Sequence, residues 1–485
     1  MNIPARTFAG MGWVVEKYGT RANINPGQAK KEQLRHAIQS ASHPNYRTIY
    51  SHTGWRKVDG EWCYLYSGGA IGANGLDVEL EGNLTAYTLD VPAASPKASA
   101  DFLEVGTLRV TAPLLCAMYL APLCEFARGD RPAFVTSIVG QTGSRKTTIC
   151  ALAMSHFGNF NSKQTTASFA DTANSIIRKA FIVKDAPLLV DDYHPTTSCR
   201  NHENMKATAQ KLARAYGDLN GRSRANPDGS MQVSTPPRGL GIMSGEQVPD
   251  IGESGTARYY LIEIGMEDVP PTETLTSMQE KARNGALRGA MRGYIEWLSP
   301  QAEKLPQRLE SSFTRLRQQI AQSLPDIHGR IVEAVAWLLV SLELMEEYFN
   351  TKDVALDHQA IEEALIQNAQ TQAKTQSQEK PVDMFLETLQ QLLATNRVCI
   401  DGYGETQGGE RIGYMKNTEV HLFPMAAFNA VCKMYKEQDS HFPISRTDLW
   451  KRMGLKGFKE NHNGKTAQVL AISRERLEGG HEVMI

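Results

Sequence analysis

The sequence predicts an α/β protein built around a largely parallel sheet, with a helical module and a mixed module following it. Three observations predict this. Short apolar strands alternate with helical patterns between residues 133 and 264, as in strands joined by crossover helices. The stretch "SIVGQTGSRKTTICALAM", residues 137–154, reads as a strand, a loop of small residues and a helix, the arrangement that turns backbone N–H groups onto an anion. Residues 271–375 then carry apolar side chains at helical spacing throughout.

The bulk composition narrows the class of protein. At 485 residues there is room for roughly three or four domains. Hydrophobic residues at 41% and charged residues at 22% are the mix of a soluble globular chain, not of a fibrous or disordered one. The net charge is −1, so any contact with nucleic acid must come from local basic patches. The seven cysteines are scattered and never form a Cys-x-x-Cys pair, which argues for a reducing compartment and against a disulfide framework or a structural zinc. The longest apolar runs are too short or too interrupted to span a bilayer, and the N-terminus lacks a signal pattern. A cytoplasmic protein with no membrane partner is expected.

Taken in order, the elements are as follows. "RTIYSHTGWRKV" and "EWCYLYSGGAIG" flank Asp59-Gly60 and predict a β-hairpin. "VPAASPKASAD" reads as a linker. Residues 110–127 form a buried apolar helix leading into a strand at 133–139. The strands "APLLVDD", "GLGIMSGE" and "RYYLIEI" follow, with helices between them. The polar run "QNAQTQAKTQSQEKP" separates the helical module from residues 381–485, whose helix, helix and two-strand pattern suggests a winged helix.

The loop at 140–148 supplies what a phosphate-binding loop needs. Gly140 and Gly143 let the backbone close around the anion, Lys146 reaches the β- and γ-phosphates of ATP, and the Thr147 hydroxyl reaches Mg2+. Gln141, Thr142, Ser144, Arg145 and Thr148 complete the cradle. Arg145 occupies a position where the usual pattern has glycine; its side chain is expected to point to solvent or to a neighbouring subunit. A strand ending in acidic residues should follow, and "APLLVDDYHP" fits, with Asp191 on the metal side and Asp192 as the base. Ser244 ends the next strand, where it could sense the γ-phosphate; the alternative is a turn serine. Arg258 precedes a further strand and could reach the nucleotide of an adjacent subunit, the alternative being a solvated surface arginine.

The set "GQTGSRKTT", "PLLVDDYHP", "GRSRANPDG", "GIMSGE" and "SGTARYYLIEI" resembles the AAA+ replicative helicases of phages, plasmids and chromosomal islands, including the MCM-like helicases of staphylococcal cassette elements. "WVVEKYGTRANINPGQAKKEQLRHAIQ", "HTGWRKVDGEWCYLYSGGAIG" and "IGYMKNTEVHLFP" are also similar to these proteins, so the resemblance covers most of the chain. It implies an AAA+ P-loop NTPase core with an N-terminal α/β domain, a helical lid and a C-terminal winged helix, at 101–270, 1–100, 271–380 and 381–485 respectively. It implies Lys146 and Thr147 on phosphate and Mg2+, Asp191 and Asp192 as the acidic pair, Ser244 as the first sensor, and Arg258 as the arginine before a core strand. Arg330 matches the second sensor loosely. MCM-type loops also lack glycine before the lysine, so Arg145 fits that branch. The Asp-Asp pair departs from the commoner Asp-Glu. Longer relatives carry a primase module upstream, for which these residues leave no room, so a separate primase or initiator is an expected partner.

From Arg200 to Arg238 there are seven Lys/Arg against three Asp/Glu, in a helix followed by a hairpin with the turn "NPDG". In MCM-like proteins the equivalent hairpin enters a central channel, which makes Arg222 and Arg224 the candidates for DNA phosphate contacts. Residues 446–476 hold eight Lys/Arg against three Asp/Glu, a second candidate DNA surface. The resulting expectation is a ring-forming, hexameric, ATP-dependent DNA helicase acting on single-stranded or forked DNA in the replication of a phage or mobile genetic element. The rivals are an AAA+ origin-binding initiator or remodelling ATPase without processive unwinding, and a nucleotide-dependent DNA-binding defence or regulatory protein.

Overall fold

The structure is a computed structural model that describes residues 3, 5–24, 26–43, 47–163, 165–194, 199–219, 235–249, 251–325, 327–378, 381–403, 408–437, 442, 444–462 and 465–477. The chain divides into two compact units, 1–49 and 50–485. In the first, helices α1 (Gly12–Tyr18) and α2 (Gln28–Ala41) close a small core in which Leu34 and Ile38, one turn apart, pack with Met11, Trp13 and Val14.

The second unit begins with an antiparallel sheet of β1 (Gly54–Val58), β2 (Glu61–Tyr66) and β3 (Gly69–Ile71). Asp59 and Gly60 both have positive φ, 51° and 91°, which is the tight turn that the Asp-Gly pair predicted. Trp55 and Tyr64 face each other across the hairpin and pack edge to face at 5.4 Å. Both are buried and bind the hairpin to the rest of the unit: Trp55 Nε1 donates to the Pro122 carbonyl at 2.8 Å, and Tyr64 Oη donates to the Asp185 carbonyl at 2.7 Å. The Trp55 amide donates to the Asp185 carboxylate at 2.9 Å, and the Thr53 hydroxyl to the Lys184 carbonyl at 2.8 Å. The hairpin thus grips the turn that leads into the acidic strand.

The stretch expected to be a linker is a packed strap. The Ala94 amide donates to the Gly289 carbonyl at 3.0 Å, and a Cβ at Gly289 would lie 2.9 Å from the Pro92 carbonyl oxygen. Small residues at 289 and 293 on a later helix open the groove that receives it, a long-range fit invisible in the Pro/Ala/Ser composition.

Among the described residues five parallel strands make the central sheet: β4 (Val135–Val139), β5 (Ala167–Ser168), β6 (Pro187–Tyr193), β7 (Leu240–Gly245) and β8 (Tyr259–Glu263), in the spatial order β8-β4-β7-β6-β5. Their near-continuous apolar sequences follow from burial on both faces. The helix α3 (Leu108–Leu120), buried from Val110 onward, lies under the sheet, with α4 (Lys146–Met154), α5 (Ala173–Ile182) and α6 (Cys199–Gly217) between strands. Five helices follow: α7 (Glu273–Arg283), α8 (Ala286–Leu298), α9 (Leu305–Ser323), α10 (Gly329–Asn350) and α11 (His358–Gln378). From α11 the Gln372 amide covers the outer edge of β8, accepting from the Leu261 amide at 3.0 Å and donating to the Tyr259 carbonyl at 2.8 Å.

The last part has its own core, built by α12 (Pro381–Ala394), β9 (Val398–Asp401), β10 (Glu410–Lys416), β11 (Glu419–Leu422), α13 (Pro424–Glu437), α14 (Arg446–Arg452), β12 (Phe458–His462) and β13 (Lys465–Ser473). Within it α13, α14 and the hairpin of β12 and β13 follow one another along the chain. A second hairpin, β10–β11, joins through β13 to give a five-stranded sheet ordered β9-β10-β11-β13-β12, more than the sequence pattern suggested. No helix among the described residues is long and apolar enough to cross a membrane.

Asp185 makes the junction between the first sheet and the acidic strand sensitive to pH. Burial pushes its carboxyl up to about 6, against the pull of the Lys184 ammonium and the Trp55 amide. Because this folded value lies above that of a free Asp, the stability it contributes is complete below about pH 4 and is lost as the pH rises through about 6. Thermal midpoints measured across that range should show this loss in the wild type and a flatter profile in Asp185→Asn.

Candidate nucleotide site

The strand order brings three strand ends and one helix start together. β7 lies between β4 and β6, so Ser244 on β7 stands between the candidate phosphate loop that follows β4 and the acidic pair on β6. Gly140 leaves β4 where a side chain cannot fit: a Cβ there would lie 2.1 Å from the Ile264 carbonyl oxygen. Gly143 takes φ +89°, the left-handed region open to glycine. Between them Gln141 and Thr142 are exposed, with the Thr142 hydroxyl donating to Glu246. Ser144 is buried and tightens the loop by donating to the Gln141 carbonyl at 2.8 Å.

Lys146 opens α4 and folds its ammonium back over the loop, donating to the carbonyls of Gly140 at 2.6 Å and Gln141 at 2.8 Å. Thr147 and Thr148 follow in the first turn of the same helix. The Thr147 hydroxyl donates to the Asp191 carboxylate at 3.4 Å, and the Ser244 hydroxyl donates to the same carboxylate oxygen. Asp191 is 8% exposed, while Asp192 beside it is exposed and pairs with His194 at 2.9 Å. In a regular strand, adjacent side chains point to opposite faces. Here the pairing skips from Val190 to Tyr193 and Asp192 takes φ 71°, a bulge that re-aims the two carboxylates. One turns into the site and the other faces outward.

Arg145 corrects the sequence expectation. Its φ of 63° is left-handed, which explains why glycine is usual there. Its guanidinium turns neither to solvent nor outward but onto its own chain, donating to the Val269 carbonyl at 2.9 Å.

Arg258 and Arg330 lie elsewhere. Tyr259 pairs with Val135, so Arg258 sits at the start of the parallel strands while the phosphate loop sits at their end, about 20 Å away over six residues. Arg258 donates to the Asp218 carboxylate through Nη2 at 2.8 Å and Nε at 3.1 Å, and also to the Ser254 hydroxyl at 3.2 Å. Arg330, at the start of α10, donates to the same Asp218 oxygen at 3.3 Å and to the Gly217 carbonyl at 3.1 Å. Burial pushes the Asp218 carboxyl up, but the hydrogen bonds and charges of Arg258 and Arg330 outweigh it and hold it below the usual carboxylate range. The two arginines singled out in the sequence therefore meet on one carboxylate, and neither touches its own chain's phosphate loop. Sequence reasoning missed Asp218, which carries no motif, and Glu246, which ends the "GIMSGE" segment without signalling a role. Arg222 and Arg224 lie outside the described residues.

A family model described as "Domain of unknown function (DUF927)" matches residues 97–235, the stretch holding the phosphate loop and the acidic pair. No curated protein matches the chain. The fold is similar to that of a solved structure described as "SCCmec type IV Cch - active helicase", with a TM-score of 0.62 at 14% identity over 96% of this chain and 86% of that one. A structure described as "The A form apo structure of NrS-1 C terminal region-CTR" aligns over 92% of this chain and 90% of that one, but at a TM-score of 0.34 and 10% identity.

The geometry at Arg145 sets an order of stability. Arg145→Ala keeps the left-handed backbone and loses the bond to Val269, whereas Arg145→Gly loses the bond but sheds the backbone penalty. The glycine variant should be more stable than the alanine variant by about 1 kcal/mol in thermal or denaturant unfolding. The reverse order would contradict this account of the loop.

Proposed function

We propose that this chain is an ATP-dependent DNA helicase that assembles as a hexameric ring, serving the replication of a phage or mobile genetic element. The observation that carries this reading is the division of the candidate site between the two ends of the parallel strands. Lys146, Thr147, Asp191 and Ser244 converge at their C-terminal ends, and Arg258 with Arg330 gather at their N-terminal ends. A chain so built holds two half-sites, and copies arranged head to tail complete each one, closing into a ring.

The residues present fit a nucleoside triphosphate with Mg2+. The buried Asp191 carboxylate and the Thr147 hydroxyl would hold Mg2+, and the glycine-shaped loop at the start of α4 would offer backbone N–H groups to the anion. When bound, the ion would neutralise charge on the transferring phosphate. The chain's own residues divide the remaining work. Lys146 exchanges its contacts with the loop carbonyls for phosphate oxygens. Asp191 is fixed by Ser244 and Thr147 and so would hold the ion in one place. Asp192, exposed beside it, takes the proton of the attacking water. Arg258 leaves Asp218 to reach the phosphate of the next copy. Arg330 sits too far from its own loop to serve it and acts from the same side as Arg258.

The fold similarity to a structure described as an active helicase supports this reading. The DNA contacts would come from Arg222 and Arg224, which lie outside the described residues, and from residues 446–476, with eight Lys/Arg against three Asp/Glu. Single-stranded DNA should stimulate ATP hydrolysis, and Lys146→Ala and Arg258→Ala should each reduce turnover by about a thousandfold or more while retaining the wild-type fold. An Arg258→Ala protein that hydrolyses ATP at the wild-type rate would remove the shared-site model.

A further inference from the structure

The first unit of the chain, residues 1–49, contributes nothing to the candidate nucleotide site. Its apolar residues are spent on a small core of its own. Trp13 and Val14 of α1 are buried with Met11, Phe8 stacks on Trp13 at 5.8 Å, and the Trp13 indole donates to the Phe8 carbonyl at 3.2 Å. From α2, Leu34 and Ile38 turn into the same core. What is left on the outside is basic. Residues 12–41 carry Lys17, Arg21, Lys30, Lys31 and Arg35 against Glu16 and Glu32, in a chain whose net charge is −1. Arg35 is half-buried and the other six are exposed, and none of the five cations makes an ion pair among the described residues. Three of the five sit on α2, a helix of 14 residues; Lys31 and Arg35 lie one turn apart and are neighbours on its surface, with Lys30 beside them.

The same helix is ill suited to other anionic or apolar partners. Its large apolar side chains already face its own core, so no apolar face is left to enter a bilayer as interfacial helices do. The apolar residues that it does expose are the alanines Ala29, Ala37 and Ala41, which lack the aromatic and aliphatic bulk that anchors protein interfaces. Contacts to DNA phosphates need neither, since lysine and arginine gain affinity there by neutralising phosphates and releasing their counterions.

We propose that the first unit is a DNA-binding module, in which α2 sets Lys30, Lys31 and Arg35 on backbone phosphates while Lys17 and Arg21 add to the attraction. The inference goes beyond the helicase reading, because it gives a DNA contact to the part of the chain that reading leaves without a role, and it requires no nucleotide. Contacts of this kind position a protein on DNA without reading its sequence. The unit therefore tethers the chain to DNA of any sequence.

The test measures nucleotide-free binding of the full-length protein to labelled single-stranded and duplex DNA over a series of salt concentrations. A triple variant, Lys30→Gln with Lys31→Gln and Arg35→Gln, should bind about tenfold more weakly or worse in low salt. Its plot of log affinity against log salt should flatten by about two to three, the share of three phosphates. Glu32→Gln, which removes a carboxylate from the same helix, should instead bind roughly two- to fivefold more tightly, a gain that a merely structural α2 would not give. Thermal midpoints should stay at the wild-type value in both proteins. The DNA form on which the flattening is seen is the form that the unit holds. Wild-type affinity and salt dependence in the triple variant would overturn the proposal. Weaker binding with the wild-type salt slope would mark lost structure instead of lost phosphate contacts, and would also overturn it, as would lost binding to phosphatidylserine vesicles with DNA binding intact. The helicase reading fails separately. A wild type that binds DNA in this way and separates no fork leaves the inference standing, whereas a triple variant that binds DNA and unwinds forks like the wild type sinks the inference alone.

Discussion

The candidate site depends on one carboxylate. Asp191 accepts from Ser244 on β7 and from Thr147 on α4, and so ties the acidic strand to the phosphate loop across an intervening strand. A buried carboxylate without such partners would be costly. The bonds therefore demand that β7 sit between β4 and β6, that β6 bulge at Asp192, and that α4 begin where it does. The hairpin of β1 and β2 serves the same end, since Trp55, Tyr64 and Thr53 hold the turn at Lys184 and Asp185 from which β6 starts. A disturbance at that turn would reach Asp191 along one strand.

A second constraint is polarity. In a parallel sheet all strand ends of one kind lie on one side, and this places Arg258 and the candidate phosphate loop at opposite ends of two neighbouring strands. An arginine at the start of β8 cannot serve the loop of its own chain without rebuilding the sheet. Asp218 resolves the electrostatics of the isolated chain by pairing with both Arg258 and Arg330. Those pairs are partly exposed and worth little as stability. Their interest lies in holding two cations in one place.

Much of this was legible in the sequence because it is local. The glycines, Lys146 and Thr147 announce the loop within eight residues, the strands announce themselves as apolar runs, and Asp59-Gly60 announces its turn. What was not legible is what distance in the chain conceals. Arg145 turns to Val269, more than a hundred residues away. The Pro/Ala/Ser stretch packs because Gly289 and Gly293 make room for it. The C-terminal sheet gains strands because β11 pairs with β13 across two helices. Asp218 acquires its importance only when α6, β8 and α10 meet.

The central claim is that ATP hydrolysis by shared sites drives strand separation. It is tested most directly by following a labelled forked DNA with the full-length protein, Mg2+ and ATP. The account predicts separated strands with the wild type, and none with Lys146→Ala or without ATP. ATP hydrolysis by the wild type that leaves the fork intact would contradict it and favour a remodelling ATPase of the same architecture.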